Sequence, residues 1–166
     1  MTRDKRTILV VEDSGNDAAL IRVAFRKAGF EERFQTVGRP GEALRYLKGE
    51  GEYADRKKFP FPNLILLDHK MPGDGWEVIE WVRQQRELAY LPVVVFSGSE
   101  DPNHQKKAYD LGANAYHIKP QNFEEFTETV KRIGDFWLRG SSGAGAGGAL
   151  DASPLIPHPM EAGSEF

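Results

Sequence analysis

The chain has 166 residues, about the length of one domain, and its content of 40% apolar and 28% charged residues is ordinary for a globular protein. It contains no cysteine, which excludes disulfide bonds, thiolate metal sites and a cysteine nucleophile. No apolar run approaches the roughly 18 residues of a membrane span, and the N-terminal sequence MTRDKRT is too polar for a signal peptide. We therefore expect a cytoplasmic protein with no membrane partner.

The charges are balanced over most of the chain. The formal net charge of −3 comes from the last 27 residues, which contain three acids and no lysine or arginine, so that residues 1–139 carry 22 basic and 22 acidic side chains. A neutral segment without a basic stretch has no electrostatic footprint for nucleic acid. We expect no nucleic-acid partner.

Residues 140–166 differ in composition from the rest of the chain. Eighteen of these 27 residues are Gly, Ala, Ser or Pro, and no helical period of apolar residues is present. Such a segment buries too little apolar surface to offset the entropy that it would lose on ordering. Because its last four residues, GSEF, read like two translated cloning sites, we expect a flexible tail of cloning origin, with a native flexible tail as the alternative. Residues 1–139 form the predicted domain.

Strand and helix patterns alternate along that domain. Apolar, β-branched runs predict strands at 7–11, 33–37, 63–67, 92–96 and 114–118. The first helix is predicted at 16–28, with one apolar face made of Leu20, Ile21, Ala24, Phe25 and Ala28. Later helices begin where a capping or turn residue precedes an apolar period, at Pro40, Asp74, Asp101-Pro102 and Asn122.

The five βα units predict an α/β fold with a five-stranded parallel sheet. The runs LILL and VVVF are apolar on consecutive residues, so both faces of the sheet must be covered by helices. The sheet is therefore doubly wound. In open sheets of this kind, ligands bind in the crevice at the carboxyl ends of the strands.

Reactive side chains follow four of the predicted strands: Glu12, Asp13, Asp68, Ser97 and Lys119. Each of the acids, taken alone, is most often a turn former or a helix cap. The topology nevertheless brings all five residues to one rim, where three carboxylates repel one another unless a cation or a proton is shared between them. This convergence indicates a functional site.

The residue types at that rim suggest a chemistry. Carboxylate oxygens are ligands for a hard cation such as Mg²⁺, which also binds phosphate oxygens. An aspartate beside Mg²⁺ can attack phosphorus and form an aspartyl phosphate, while a lysine and a serine hold phosphoryl oxygens. The histidines at positions 69, 104, 117 and 158 have no ligand spacing, and we interpret them as surface or structural residues.

Four spaced motifs, VVED, LILLDHKMPGDG, VVFSGS and AYHIKP, resemble those of the receiver domain of two-component response regulators. The resemblance covers residues 5–138, with 29 residues from Asp68 to Ser97 and 22 from Ser97 to Lys119. It implies a flavodoxin-like (βα)5 fold with Asp68 as the phosphoacceptor. It also implies that Glu12, Asp13, Asp68 and the main-chain carbonyl of Lys70 hold Mg²⁺.

The resemblance assigns further roles near the same rim. It implies that Lys119 and Ser97 act with Asp68 in phosphoryl transfer, and that Ser97 is also the switch hydroxyl. Tyr116 matches the aromatic residue whose inward or outward rotamer reports the state, with simple packing in a strand as the alternative. By the same resemblance the bond before Pro120 is expected to be cis. His69 departs from the family pattern, because an apolar residue commonly follows the phosphoacceptor.

A narrower resemblance concerns the connection GEGEYADRKKFPFPN and the ending IGDFWL, which are similar to small stand-alone receivers associated with phytochrome-type sensor histidine kinases. It implies a single-domain response regulator that is phosphorylated by such a kinase and signals to an unidentified phosphotransfer or effector protein, without a DNA-binding output domain. We expect self-phosphorylation from phosphodonors and slow autodephosphorylation rather than enzymatic turnover. Trp137 and Leu138 are candidates for a homodimer contact, or alternatively close the core.

Two other functions have to be weighed. A non-catalytic interaction module of the same fold would not need the full set of acids, serine and lysine. A flavin-binding protein of the same topology would need a phosphate-binding loop rich in Ser, Thr or Gly after the first strand, where this chain has EDSGND. Both are less consistent with the residues than a receiver is.

Overall fold

The computed structural model describes residues 6–139, which form one five-stranded parallel sheet flanked by helices. The strands are β1 Thr7–Val11, β2 Arg33–Val37, β3 Leu64–Leu67, β4 Val93–Ser97 and β5 Ala115–Ile118. The helices are α1 Gly15–Lys27, α2 Pro40–Lys48, α3 Trp76–Gln84, α4 Pro102–Leu111 and α5 Phe123–Gly134. Short 3-10 turns lie at Gly51–Ala54 and Arg86–Leu88, and a π-helical turn follows at Asp135–Arg139.

The strand order is β2-β1-β3-β4-β5, with every neighbouring pair parallel. Alternate residues of the central strands therefore pack on opposite faces of the sheet. Leu9 and Ile65 belong to a core shared with α2, α3 and α4, whereas Ile8 and Leu64 belong to a core shared with α1 and α5. The predicted doubly wound, flavodoxin-like fold is confirmed.

Capping residues begin and end several helices, and those at Asp101 and Asn122 lie where the sequence predicts. The side chains of Ser14, Asp101 and Asn122 accept hydrogen bonds from backbone N–H groups in the first turns of α1, α4 and α5. Such bonds satisfy amides that have no partner inside the helix. Gly112 ends α4 with a φ of 111°, a left-handed conformation that favours glycine.

The apolar face predicted for α1 is wrong at one residue. Ile21, Ala24 and Phe25 are buried, but Leu20 is 39% exposed. Leu20 instead lines an open cleft of about 740 Å³ with Ile118 and Phe123. The cleft lies at the carboxyl rim of the sheet, between residues of α1 and the start of α5.

The last predicted helix continues into the π-helical turn and closes the core. Leu138 is fully buried, and Trp137 is partly buried against the same apolar cluster as α1 and α5. Both residues thus help to close the core, as one of the two alternatives predicts. The tail predicted at 140–166 lies outside the described residues.

The long connection between α2 and β3 packs against the domain. Arg56 donates to the carbonyls of Tyr46 and Leu47 at 2.8 and 3.0 Å, at the end of α2. The rings of Tyr46, Tyr53 and Phe59 lie 4.9–6.0 Å apart, centroid to centroid. Within residues 6–139, no helix is long and apolar enough to cross a membrane.

Candidate functional site

The carboxyl rim of the sheet brings together the side chains that the sequence singles out. Glu12 follows β1 and Asp68 follows β3, and the two strands are neighbours. Backbone hydrogen bonds continue the sheet to this edge, since the Asp68 N–H donates to Val11 at 3.0 Å and the Lys119 N–H donates to Ser97 at 2.7 Å. The loops that carry the site are thereby fixed by regular strand pairing.

Lys119 is the centre of the site. Its Nζ lies 2.6 Å from Glu12 Oε1, 2.9 Å from Asp68 Oδ2 and 2.8 Å from Asp17 Oδ2. The side chains of Lys119, Glu12 and Asp68 are each at most 9% exposed, whereas that of Asp17 is 37% exposed. One ammonium group thus joins three carboxylates from three elements of the fold.

Burial and ion pairing have opposite effects on the pKa values of Glu12 and Lys119. Burial raises the pKa of Glu12 to about 7, although the hydrogen bond and charge of Lys119 lower it. Burial also disfavours the charged form of Lys119, but the hydrogen bonds that its ammonium group donates to Asp17, Glu12 and Asp68 outweigh that effect and raise its pKa. Lys119 is therefore a fixed positive charge at the bottom of the site.

The other predicted site residues differ in burial and in their hydrogen-bond partners. Asp68 Oδ1 accepts a 2.9 Å hydrogen bond from the Lys70 N–H, which orients the carboxylate. Asp13 is exposed on the loop after β1. Ser97 is completely buried, and its Oγ accepts from the Ser99 N–H at 3.1 Å.

Tyr116 points inward from β5 and is 8% exposed. Its hydroxyl donates to the Ser99 carbonyl at 2.9 Å and lies 3.2 Å from His69 Nε2. The His69 ring is itself buried, and burial lowers its pKa to about 4, with a smaller contribution from His104. Of the inward and outward rotamers that the resemblance implies for Tyr116, this structure contains the inward one.

Comparison with known proteins agrees with this geometry. The sequence profile of the response regulator receiver domain matches residues 8–131. The chain belongs to the response regulator receiver family.

Individual relatives match most of this receiver. It is 35% identical over 139 residues to the probable methanogenesis regulatory protein FilR2 of Methanothrix harundinacea, covering 81% of this chain and 85% of the relative. It is 33% identical over 134 residues to the response regulator Rcp1 of Synechocystis, covering 80% and 89% respectively. The structure of the phosphorylated cyanobacterial phytochrome response regulator RcpA has a TM-score of 0.76 at 36% identity, covering 83% of this chain and 97% of the other.

A Mn²⁺-bound structure of Rcp1 is also similar, with a TM-score of 0.71 at 33% identity over 80% of this chain and 94% of that one. In this receiver, no group of three or more acidic or histidine side chains within residues 6–139 is arranged to hold a metal ion, and Lys119 lies among the carboxylates. The donor set still fits a hard divalent cation. The predicted ligand atoms, from Glu12, Asp13, Asp68 and the main-chain carbonyl of Lys70, are all oxygens, which such a cation prefers.

Two features of the receiver site differ from the sequence prediction. No peptide bond within residues 6–139 is cis, so the cis bond predicted before Pro120 is not found. The trans form is the ordinary one, favoured by about 0.5–1 kcal/mol for X-Pro bonds. Asp17 was not predicted, although its place in the first turn of α1, directly after the rim of β1, is a signal in the sequence.

Proposed function

We propose that this receiver accepts a phosphoryl group on Asp68 from the phosphohistidine of a sensor histidine kinase. The observation that carries the proposal is the direct contact of Asp68 Oδ2 with Lys119 Nζ at 2.9 Å, next to the buried Glu12. A structural ion pair needs one acid, whereas this lysine has three. A surplus of carboxylates around one lysine is suited to a site that binds a further cation and a phosphate.

In the proposed transfer, a carboxylate oxygen of Asp68 attacks phosphorus. The new O–P bond forms as the N–P bond of the phosphohistidine breaks, and the freed imidazole retains its electron pair and takes up a proton. Lys119 holds a phosphoryl oxygen, and its charge offsets the negative charge that develops there. Asp68 is oriented for this step by the Lys70 N–H.

Glu12, Asp13, Asp68 and the main-chain carbonyl of Lys70 are the residues that would hold Mg²⁺. The ion would supply the positive charge that lets a phosphoryl group approach several carboxylates. Asp13 is exposed beside the buried Glu12, so it is accessible to an ion that enters from solvent.

The kinase domain would approach through the cleft lined by Leu20, Ile118 and Phe123, which also includes Lys119. Apolar side chains at its rim can contact a partner helix while the reactive group reaches Asp68. The similarity to RcpA, described as a phytochrome response regulator, supports a kinase of the phytochrome type. The downstream phosphotransfer or effector protein would read the state of Ser97 and Tyr116 on the side of β5.

The test is phosphorylation by a small phosphodonor. The protein is incubated with acetyl phosphate and MgCl₂ and its intact mass is measured, with Asp68→Asn and EDTA as the two controls. We expect the mass of one phosphoryl group to be gained by the parent protein and by neither control. Absence of any gain in the parent protein would show a non-catalytic interaction module instead.

A second variant separates the roles within the site. Lys119→Met removes the charge but keeps a side chain of similar length, and we expect it to slow labelling strongly while Asp68 remains present. Gln121, in the same cleft, offers a matched control because Gln121→Met changes an exposed residue nearby. Equal labelling rates for Lys119→Met and the parent protein would argue against the role given to Lys119.

A further inference from the structure

His69 directly follows Asp68 and occupies an aromatic cluster that the proposed transfer does not use. Its ring is 8% exposed and stacks on Trp76 with centroids 4.3 Å apart and an angle of 15° between the planes. The His104 ring packs edge-on against it at 4.8 Å. The imidazole is therefore held by residues from α3 and α4, and its direction is fixed by packing on two sides.

The hydrogen bonds of the Tyr116 hydroxyl determine whether His69 donates or accepts in their contact. The phenol has one proton, which it donates to the Ser99 carbonyl at 2.9 Å. The 3.2 Å contact with His69 Nε2 can then be a hydrogen bond only if His69 donates from Nε2 and the phenol oxygen accepts. This arrangement requires a proton on Nε2 of His69.

The same cluster is closed by Ser99. Its Oγ lies 2.6 Å from His104 Nδ1, and its N–H donates to Ser97 Oγ at 3.1 Å. Tyr116 is thus connected to residues of the candidate site by two separate routes. One route passes through Ser97 and Ser99, and the other passes through His69 alone.

We propose that His69 is a positioning residue that holds Tyr116 in its buried rotamer and links the backbone at Asp68 directly to β5. The regulatory value of this link rests on the proposed transfer of phosphate to Asp68. A leucine or another apolar residue at position 69 can fill the space beside Trp76, but it cannot donate to the phenol. The histidine that departs from the family pattern therefore gives this chain its second connection between the site and Tyr116.

The first test observes the hydrogen bond without changing His69. In ¹⁵N-labelled resting protein, the Nε2–H of His69 should give a protected proton signal, assigned by its absence in His69→Gln. Tyr116→Phe removes the acceptor, and we expect exchange of that proton with water to accelerate about fivefold, the factor equivalent to one neutral hydrogen bond. Tyr90→Phe is the control, because Tyr90 is 81% exposed and far less packed.

The second test observes Tyr116. In protein containing 3-fluorotyrosine, the Tyr116 resonance is assigned by its loss in Tyr116→Phe and compared with that of the exposed Tyr90. We expect His69→Leu to move the Tyr116 resonance toward the exposed position, with the inward-to-outward ratio falling about fivefold. His69→Gln, which keeps an amide donor, should restore part of the shift, a result that a merely space-filling histidine would not give.

The matched control is His117→Leu, the same substitution at the residue that follows Tyr116 in β5. Neighbouring side chains of a strand point to opposite faces, so this change should not affect Tyr116. An unchanged Tyr116 resonance in folded His69→Leu would overturn the proposal, as would identical behaviour of His69→Gln and His69→Leu. If His69→Leu does not fold, an unaltered His69 proton in Tyr116→Phe overturns it equally.

All of these measurements use the resting protein without a phosphodonor. Failure of acetyl phosphate labelling would therefore refute the proposed function and leave the link between His69 and Tyr116 standing. Failure of the NMR tests would refute the link and leave the labelling of Asp68 unaffected.

Discussion

Replacing Gly134 with alanine should destabilise the domain, although alanine is the better helix former. Gly134 is the last residue of α5, and a Cβ built on it would lie 2.5 Å from both Cε2 and Cζ of Phe30. Phe30 is 2% exposed and packs edge-on against Phe25 at 5.8 Å. The guanidinium of Arg139 lies 4.1 Å from the centre of the same ring. The phenyl ring is therefore enclosed and has no free direction in which to move.

The size of the effect follows from two opposing contributions. Forcing an additional methyl group into a packed core costs about 1–3 kcal/mol. The better backbone propensity of alanine in a helix returns about 0.5–1 kcal/mol. Because the added Cβ would lie only 2.5 Å from ring atoms, the upper half of that packing cost applies, about 2–3 kcal/mol. We therefore expect Gly134→Ala to lower the free energy of unfolding by about 1–2.5 kcal/mol, which for a domain of this size lowers Tm by about 2–10 °C.

The assay is urea unfolding followed by circular dichroism, with Gly41→Ala as the matched control. Gly41 also lies in a helix, but its added Cβ would meet no atom within 4 Å, so this variant should be as stable as the parent protein or slightly more stable. Equal or greater stability of Gly134→Ala, with an unchanged dependence on urea, would refute the packing argument at Phe30.

Three further predictions concern separate parts of the domain. Tyr46→Phe removes a 2.7 Å hydrogen bond to a carbonyl in the connection before β3 and should cost about 1 kcal/mol in urea unfolding, whereas the exposed Tyr90→Phe should cost almost nothing. Burial lowers the pKa of His117 from 6.5 to about 4, so the unfolded chain binds more protons than the folded chain between these pH values. The free energy of unfolding should therefore fall as the pH drops from 6.5 to 4, and His117→Asn should make this dependence on pH less steep. An unchanged dependence in His117→Asn would contradict the prediction. Asp17→Asn should change the free energy of unfolding by less than about 1 kcal/mol, because this carboxylate is 37% exposed. Acetyl phosphate should still label Asp68 in this variant, because Lys119 keeps its contacts with Glu12 and Asp68. Loss of labelling would show that Asp17 is required.

The sheet could be predicted from the sequence because its signal is local. A strand of four or five consecutive apolar residues, as in Leu64–Leu67, requires burial on both faces, which a parallel sheet covered by helices provides. The same topology rule predicts that Glu12, Asp68 and Lys119 lie at one rim. Their contacts of 2.6 and 2.9 Å agree with that expectation.

The remaining features depend on rotations that a sequence pattern does not determine. A helical period identifies a face of α1 but not how far the neighbouring elements extend over it. For this reason the period predicts a buried Leu20, whereas the structure leaves this side chain exposed. The position of Asp17 beside Lys119 depends on the same rotation. His69 could be recognised as unusual, but its bond to Tyr116 joins residues 47 positions apart and requires the placement of Trp76 and His104 as well.

The π-helical turn Asp135–Arg139 completes the apolar core, and this has a practical consequence for protein engineering. The segment shared with the family ends at residue 131, whereas Ile133 is 1% exposed and Leu138 is completely buried. A fragment that ends at residue 131 would lose both side chains and expose the ring of Phe30. The resulting apolar surface would favour aggregation. A fusion that borrows this receiver as an input module should therefore retain the chain through Arg139 and place its linker beyond that residue.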